Sequence, residues 1–350
     1  MTESTPEDPA AATRGRRDDD PAVGTPDDVV ARVSSSGSSV LRGVATAVVG
    51  SREPLRLALA AVLAGGHVLF EDMPGLGKTL AARSLAQALG LPFSRLQCTP
   101  DLMPSDVTGS SIFDPVERSF EFRPGPIFTG LLLADEINRT SPKTQSALLE
   151  AMAEGQVSVE GGTRELPTPF HVFATSNPVE FEGTYPLPEA QLDRFLVRLE
   201  FGYPSAEDEA GIVGLRLARG LREPVVPPVL TAGGLAGLQA GLATVPVSAD
   251  VTAYAVRLAA ATRSLDAVQV GASPRGSQAL VLLGRAVAAL DGRAYVLPED
   301  IKSVAVPVLA HRLVLSPAAW ARGVDAKDLV RRVAAEVAVP ATAPATATGP

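Results

Sequence analysis

Lys78 and Thr79 close the run Asp72-Met73-Pro74-Gly75-Leu76-Gly77-Lys78-Thr79-Leu80. A lysine and a hydroxyl residue behind closely spaced glycines is the chemistry of phosphate binding. Gly75 and Gly77 let backbone N–H groups turn toward phosphate oxygens, and a helix opening at Lys78 adds its positive dipole end. The Lys78 ammonium reaches the outer phosphates of a triphosphate, and the Thr79 hydroxyl can ligate magnesium. The strict motif wants a glycine where this chain has Asp72. Aspartate is a turn former there, and its carboxylate can accept bonds from nearby backbone N–H groups instead of facing a nucleotide. The whole loop from Asp72 to Leu80 is therefore the candidate nucleotide-binding segment.

Further along, the apolar run Leu131-Leu132-Leu133-Ala134 ends in Asp135-Glu136. A buried strand with that ending places Asp135 to hold magnesium and Glu136 to orient and polarise an attacking water. An acidic pair can also merely cap a loop; its position downstream of a phosphate loop favours the chemical role. A second apolar run, from Phe170 to Ser176, ends in Asn177-Pro178. A neutral amide there can hydrogen-bond the water or the outermost phosphate without adding charge, although Asn-Pro is also a turn signal. Two arginines matter because hydrolysis spreads negative charge over the transferred phosphoryl group. Arg275 falls in the first turn of a helix opened by Ser273-Pro274, where the dipole disfavours a cation unless an anion lies close. Arg194, behind Gln191-Leu192-Asp193, ends a helix and would be presented away from its own site; the alternative is a surface ion pair with Asp193 or Glu189.

These residues need a scaffold, and the apolar patterning supplies one. Strand-like runs begin at His67, Phe93, Gly130, Phe170 and Phe195 and alternate with helical patterns. The third and fourth are nearly continuous apolar runs, as in strands covered on both faces of a parallel sheet. In the last, Val197, Leu199 and Phe201 alternate with Arg198 and Glu200, which suits a sheet edge. Near residue 203 the texture changes to Ala- and Leu-rich helical spacing, over roughly 207–219, 231–243, 249–263, 273–290, 298–311 and 325–337. The expected organisation is a disordered tail over 1–37, an α/β core over 38–202, a helical domain over 203–339 and a disordered tail over 340–350.

The composition narrows the classes. A chain of 350 residues with 46% apolar content can bury a sizeable core in two domains. A net charge of −8 argues against a protein that coats nucleic acid. The uncharged run over 229–247 has nearly the length of a membrane span, but glycines, a proline and polar residues interrupt it. Its Leu235, Leu238 and Leu242 form the stripe of a core-packing helix, so no membrane insertion is expected. The amino-terminal segment lacks the apolar stretch of a signal peptide. With a single cysteine, Cys98, nothing asks for an oxidising compartment, and the cytoplasm is the expected location. His67, His171 and His311 are scattered, two of them in core strands, which does not suggest a metal site.

The run "LLLADEINRTSPKTQSALLEAMAEGQVSV", followed by "FATSNPVEFEGTYPLPEAQLDRF", resembles the MoxR family of AAA+ ATPases. "FRPGPIF" at 122 and "GASPRG" at 271 fit the same family, and the resemblance spans about residues 40 to 338. It implies a P-loop ATPase core with a parallel sheet flanked by helices, followed by a small all-α lid. By the same resemblance Lys78 and Thr79 belong to Walker A, Asp135 and Glu136 to Walker B, Asn177 is sensor 1 and Arg275 sensor 2. Arg194 is then the arginine finger acting on a neighbouring subunit, with Arg139 a second candidate for that role. The ligands implied are ATP and Mg2+. The partners implied are further copies in a hexameric ring and a client protein that is remodelled or activated, with a von Willebrand factor A-domain protein alongside. A DNA-acting motor and a nucleotide-gated scaffold with little turnover are the alternatives. The segments 99–122 and 155–169 are candidate client-contacting insertions or plain surface loops; Gly161-Gly162 marks a hairpin turn in the second.

Overall fold

A computed structural model describes residues 24–340, apart from 160, 179–183 and 186 and the side chains of 189 and 190. From the amino end, α1 (Pro26–Ala45) and α2 (Arg52–Leu63) precede β1 (Val68–Glu71), α3 (Lys78–Ala88) and β2 (Phe93–Gln97). Then come α4 (Pro104–Thr108), the strands β3 (Gly109–Asp114) and β4 (Ser119–Pro124), β5 (Leu131–Asp135) and α5 (Pro142–Glu154). The strands β6 (Gln156–Val159) and β7 (Gly162–Glu165), β8 (His171–Ser176), α6 (Glu189–Leu192) and β9 (Val197–Leu199) complete the α/β part.

The five apolar runs form one sheet in the order β2-β5-β8-β1-β9, with every neighbouring pair parallel. All five residues of β5 are buried, as the continuous apolar run demands of a strand covered on both faces. β9 takes the edge, with Val197 and Leu199 buried and Arg198 only partly so. The register sets Gln97 beside Asp135 and Glu71 beside Ser176, so the ends of β1, β2, β5 and β8 share one rim. Ligands of open parallel sheets bind at that rim.

Beyond the sheet lie α7 (Ala206–Arg219), α8 (Ala232–Leu242), α9 (Ala249–Ala261), β10 (Val268–Val270) and α10 (Pro274–Leu290). They continue into α11 (Pro298–Ser303), α12 (Ala305–Leu309), β11 (Val314–Leu315), α13 (Pro317–Ala321) and α14 (Ala326–Glu336). The lid is helical, with one short antiparallel pair, β10 and β11, added to it. The single helix expected over 298–311 is two, because the chain leaves α11 at Val304 and Pro307 has no N–H to continue the ladder. Leu235, Leu238 and Leu242 of α8 are buried, and no helix among the described residues is long and apolar enough to cross a membrane.

The first helix corrects the expectation for 1–37. α1 begins at Pro26, capped by Thr25, whose hydroxyl accepts from the Asp28 N–H while the Asp28 carboxylate accepts from Thr25. Its Ser-Gly-Ser stretch reads as a linker, yet Val29, Val33, Val40 and Val44 fall on one face and are fully buried, against α8 and α10 among others. At Gly37 a Cβ would stand 2.3 Å from Leu290 Cδ2, so the glycine is what lets α1 meet α10. The remaining parts of the expected tails, 1–23 and 341–350, lie outside the described residues.

The histidines are core residues with a consequence for pH. His67 donates through Nε2 to the Met152 carbonyl at 3.0 Å and accepts at Nδ1 from the Val172 N–H at 3.0 Å. His171 donates through Nδ1 to the Gly66 carbonyl at 2.9 Å and accepts at Nε2 from Gln239 at 3.1 Å. A neutral ring satisfies each set, and protonation would put N–H against N–H. Burial first, and then the neighbouring His171, lowers the His67 pKa from 6.5 to about 4; burial lowers that of His171 to about 4 as well. The unfolded chain therefore takes up protons that the native protein does not as pH falls from 6.5 to 4. Stability is expected to be independent of these groups above pH 7 and to fall by about 3 kcal/mol per histidine by pH 4. Urea unfolding at pH 7.5, 6 and 5 measures this, and His171→Gln should flatten the decline.

Candidate nucleotide site

Each part of the phosphate loop follows from local geometry. Gly75 and Gly77 have φ of 83° and 84°, a region that side chains other than glycine's rarely enter. Gly77 is the N-cap of α3 and has no side chain to occupy the first N–H groups of the helix, which stay available to an anion. Lys78 starts α3 and folds back over the loop, donating from Nζ to the Asp72 carbonyl at 2.6 Å. Thr79 faces β5, its Oγ1 3.4 Å from Asp135 Oδ2.

Asp72 turns away from the phosphate side. Its Oδ1 accepts from the Met73 N–H at 2.9 Å, and its Oδ2 accepts from the N–H groups of Phe201 at 2.6 Å and Gly202 at 2.8 Å. The aspartate thus ties the end of β1 to the chain as it leaves β9 for the lid.

At the rim of β5, Asp135 and Glu136 are held by β2 and β8. Thr175 Oγ1 donates to Asp135 Oδ1 at 2.6 Å and accepts from the Glu136 N–H at 2.8 Å. Arg95 donates to Asp135 Oδ2 from Nε at 3.1 Å and Nη2 at 2.6 Å. The Glu136 carboxylate accepts from Gln97 Nε2 at 3.1 Å and from Arg139 at 3.1 Å. Glu136 itself has φ 59°, a strained conformation for a glutamate that the surrounding bonds keep in place. Arg139, a candidate for action on a neighbouring subunit, is here a partner of its own Glu136.

One cavity of about 410 Å³ gathers Pro74, Gly75, Gly77, Lys78, Thr79, Leu80, Asp135, Glu136 and Asn177, together with Arg95 and Thr175. Asp72, Met73 and Leu76 belong to the loop but do not line it. The two oxygen donors Thr79 Oγ1 and Asp135 Oδ2, facing each other across it, suit a hard cation such as magnesium. Sequence reasoning missed Arg95, Gln97 and Thr175. For the first two, the signal was a pair of polar side chains two residues apart on a strand, hence on one face.

The structure separates Arg194 and Arg275 from that cavity. Arg194 and Arg275 line a second cavity with Asp193 and Arg312, between α10 and the chain entering β9. Arg275 is thus brought to Arg194 and not to Lys78. The expected alternative partner of Arg194 is otherwise engaged: the Asp193 carboxylate accepts from Arg312 Nε at 2.7 Å and from Ser273 Oγ at 3.0 Å. Arg194 Nε is buried with no hydrogen-bond partner among the described residues, and the Glu189 side chain lies outside them. Cys98 is buried at the end of β2, and burial first, then the Asp135 and Glu136 charges, pushes its pKa up to about 12, so it is an inert thiol.

The two candidate insertions are hairpins. β3 pairs with β4 and β6 with β7, both antiparallel, and the Arg164 guanidinium lies 3.8 Å over the Phe122 ring, joining one hairpin to the other. Ile112, Phe113, Val116 and Phe120 stand exposed on the first.

Comparison with known proteins agrees with this layout. Residues 67–197 match the family described as ATPase family associated with various cellular activities (AAA), and residues 260–333 match the AAA lid domain. The uncharacterized protein YeaC of Bacillus subtilis (strain 168) is 50% identical over 293 residues, covering 84% of this chain and 91% of that protein. Chaperone MoxR1 of Mycobacterium tuberculosis (strain ATCC 25618 / H37Rv) is 42% identical over 302 residues, 84% of this chain and 79% of that protein. A crystal structure of a protein from Cytophaga hutchinsonii ATCC 33406, assigned as an ATPase, superposes with a TM-score of 0.83 at 36% identity. It covers 90% of this chain and 98% of its own.

Proposed function

The chain belongs to the MoxR family of AAA+ ATPases, and from that premise we propose that it hydrolyses MgATP within a hexameric ring of like subunits to remodel or activate a client protein. The observation that carries this reading is the division of the cations. Lys78 shares a cavity with Asp135, Glu136 and Asn177, whereas Arg194 and Arg275 share another. A site that must neutralise a transferring phosphoryl group, and from which Arg194 and Arg275 face away, is completed by a second copy.

In the reaction Lys78 and the α3 N–H groups bind the outer phosphates, and Asn177 holds the attacking water by its amide. Glu136 accepts the proton of that water as its oxygen bonds to the γ-phosphorus and the bond to the ADP oxygen breaks. Thr79 and Asp135 would hold magnesium, which would supply charge neutralisation to the phosphates. Arg194 and Arg275 of one subunit stabilise the charge that develops in the next.

Helix α7 supports assembly. It buries no residue, and Val213 and Leu217 are 54% and 77% exposed, so apolar side chains of an otherwise charged helix stand bare close behind the Asp72 tie to Phe201 and Gly202. The exposed aromatics of the β3–β4 hairpin support client contact there. A von Willebrand factor A-domain protein as partner follows from the family resemblance alone, and the net charge of −8 supports a protein client over a nucleic acid. The cytoplasm is the proposed location, where Cys98 needs no oxidising environment.

Glu136→Gln tests the reading. The variant is expected to bind MgATP like the wild type while phosphate release falls about 10²- to 10⁴-fold. Partners captured on it in ATP and not in ADP identify the client. Hydrolysis unchanged by the substitution would reduce the protein to a nucleotide-gated scaffold, and DNA recovered in place of protein would reassign its task.

A further inference from the structure

The cavity contains one cation that the proposed mechanism leaves without a task. Arg95 lies two residues before Gln97 on the edge strand β2, and both side chains reach across to the end of β5. Both Arg95 contacts with Asp135 go to one oxygen, Oδ2, from Nε at 3.1 Å and Nη2 at 2.6 Å. That oxygen is also the one that Thr79 Oγ1 approaches to 3.4 Å. The other oxygen, Oδ1, is held by the Thr175 hydroxyl at 2.6 Å. A divalent cation shared by Thr79 and Asp135 must therefore use the oxygen that the guanidinium covers, and two cations on one carboxylate oxygen repel each other.

Arg95 has room to leave. Its side chain is 47% exposed, against 12% for Asp135, and it lines the phosphate cavity itself. Its Nη2 donates in addition to Gln97 Oε1 at 3.0 Å, and Gln97 Nε2 donates to Glu136 Oε2 at 3.1 Å. The chain of contacts from Asp135 through Arg95 and Gln97 to Glu136 joins the metal-binding carboxylate to the water-polarising one.

Resting on the reading of this cavity as a magnesium–nucleotide site, we propose that Arg95 is a positioning residue that competes with the divalent cation for Asp135. Its guanidinium holds Asp135 Oδ2 until nucleotide phosphates arrive with the cation, and then moves along the cavity wall to the phosphate oxygens. Cation binding is thereby made conditional on nucleotide. The same movement withdraws a donor from Gln97 and changes the hold on Glu136. A purely structural ion pair between β2 and β5 would affect stability and leave this linkage untouched.

The test measures Mn2+ binding by electron paramagnetic resonance without nucleotide, and ATP binding by calorimetry in EDTA and in magnesium. Loss of one strong charged contact is worth about tenfold in affinity, so Arg95→Gln is expected to bind Mn2+ alone about tenfold more tightly than wild type. It should also bind ATP in EDTA about tenfold more weakly, with Asp135 now uncompensated, and MgATP within about threefold of wild type. Arg95→Lys keeps the charge and one contact, and is expected to tighten Mn2+ binding only about threefold; it serves alone if the Gln variant does not fold. Mn2+ affinity without nucleotide unchanged in either folded variant overturns the inference. Wild-type protein that binds no MgATP defeats the reading of the site itself; normal MgATP binding with an unmoved Mn2+ affinity defeats only the role of Arg95.

Discussion

Arg194→Ala is expected to lower ATP turnover about 10³- to 10⁵-fold while nucleotide binding stays intact, the range seen when a trans-acting arginine is lost. The separation of phenotypes follows from the placement of the side chain. Arg194 shares its cavity with Arg275 and Arg312, and no part of the phosphate loop lines that cavity. Its removal therefore leaves the contacts of Lys78 and Thr79 untouched. The decisive form of the experiment mixes two inactive proteins. Arg194→Ala has a sound phosphate loop, and Lys78→Ala has sound arginines. At equal amounts about one interface in four pairs the intact halves, and activity should return to about that fraction. A mixture as inactive as its components, when assembly is verified, would show that Arg194 acts within its own subunit or not at all.

The second large effect sets two residues of one loop against each other. Lys78→Ala removes charge-assisted contacts worth about 1.5–3 kcal/mol each, so ATP affinity should fall by about 10²-fold or more. Asp72→Gly restores the strict motif, yet it should change ATP affinity by less than about threefold. Its carboxylate bonds to the N–H groups of Met73, Phe201 and Gly202 and does not line the phosphate cavity. The loss appears elsewhere: with the N–H groups of Phe201 and Gly202 unpaired, stability should drop by about 2–4 kcal/mol. Calorimetric ATP titration and urea unfolding on the same two variants read both quantities. The reverse order, a binding defect in Asp72→Gly and none in Lys78→Ala, would overturn this account of the loop.

What the sequence disclosed follows from which forces are local. The strands β5 and β8 were legible because burial on both faces writes a continuous apolar run. The loop at Gly75 and Gly77 was legible because phosphate binding fixes residue types at short spacing. Arg95, Gln97 and Thr175 were not, since they meet Asp135 and Glu136 only through the order β2-β5-β8, a pairing of strands far apart in the chain. The neighbours of Arg275 were not legible either, because a position in the first turn of a helix does not say where that helix points. The start of α1 was hidden by its serines and Gly37; its valines become a face only when α8 and α10 arrive to cover it. The break at Val304 was written in the sequence, where Pro307, a proline inside a helical pattern, signals a stop just before it.

That covering of α1 has a bearing on synthesis. Ser34 Oγ donates to the Leu290 carbonyl at 3.1 Å, across 256 residues of chain. On a ribosome adding about 5–20 residues per second, the first helix leaves the tunnel roughly 10–50 s before the helix that buries it. For that interval Val29, Val33 and Val40 lack the cover of α10, and the longest helix of the lid completes the packing of α1. A protein proposed to remodel others thus exposes, during its own synthesis, apolar surface of the kind that holding chaperones cover.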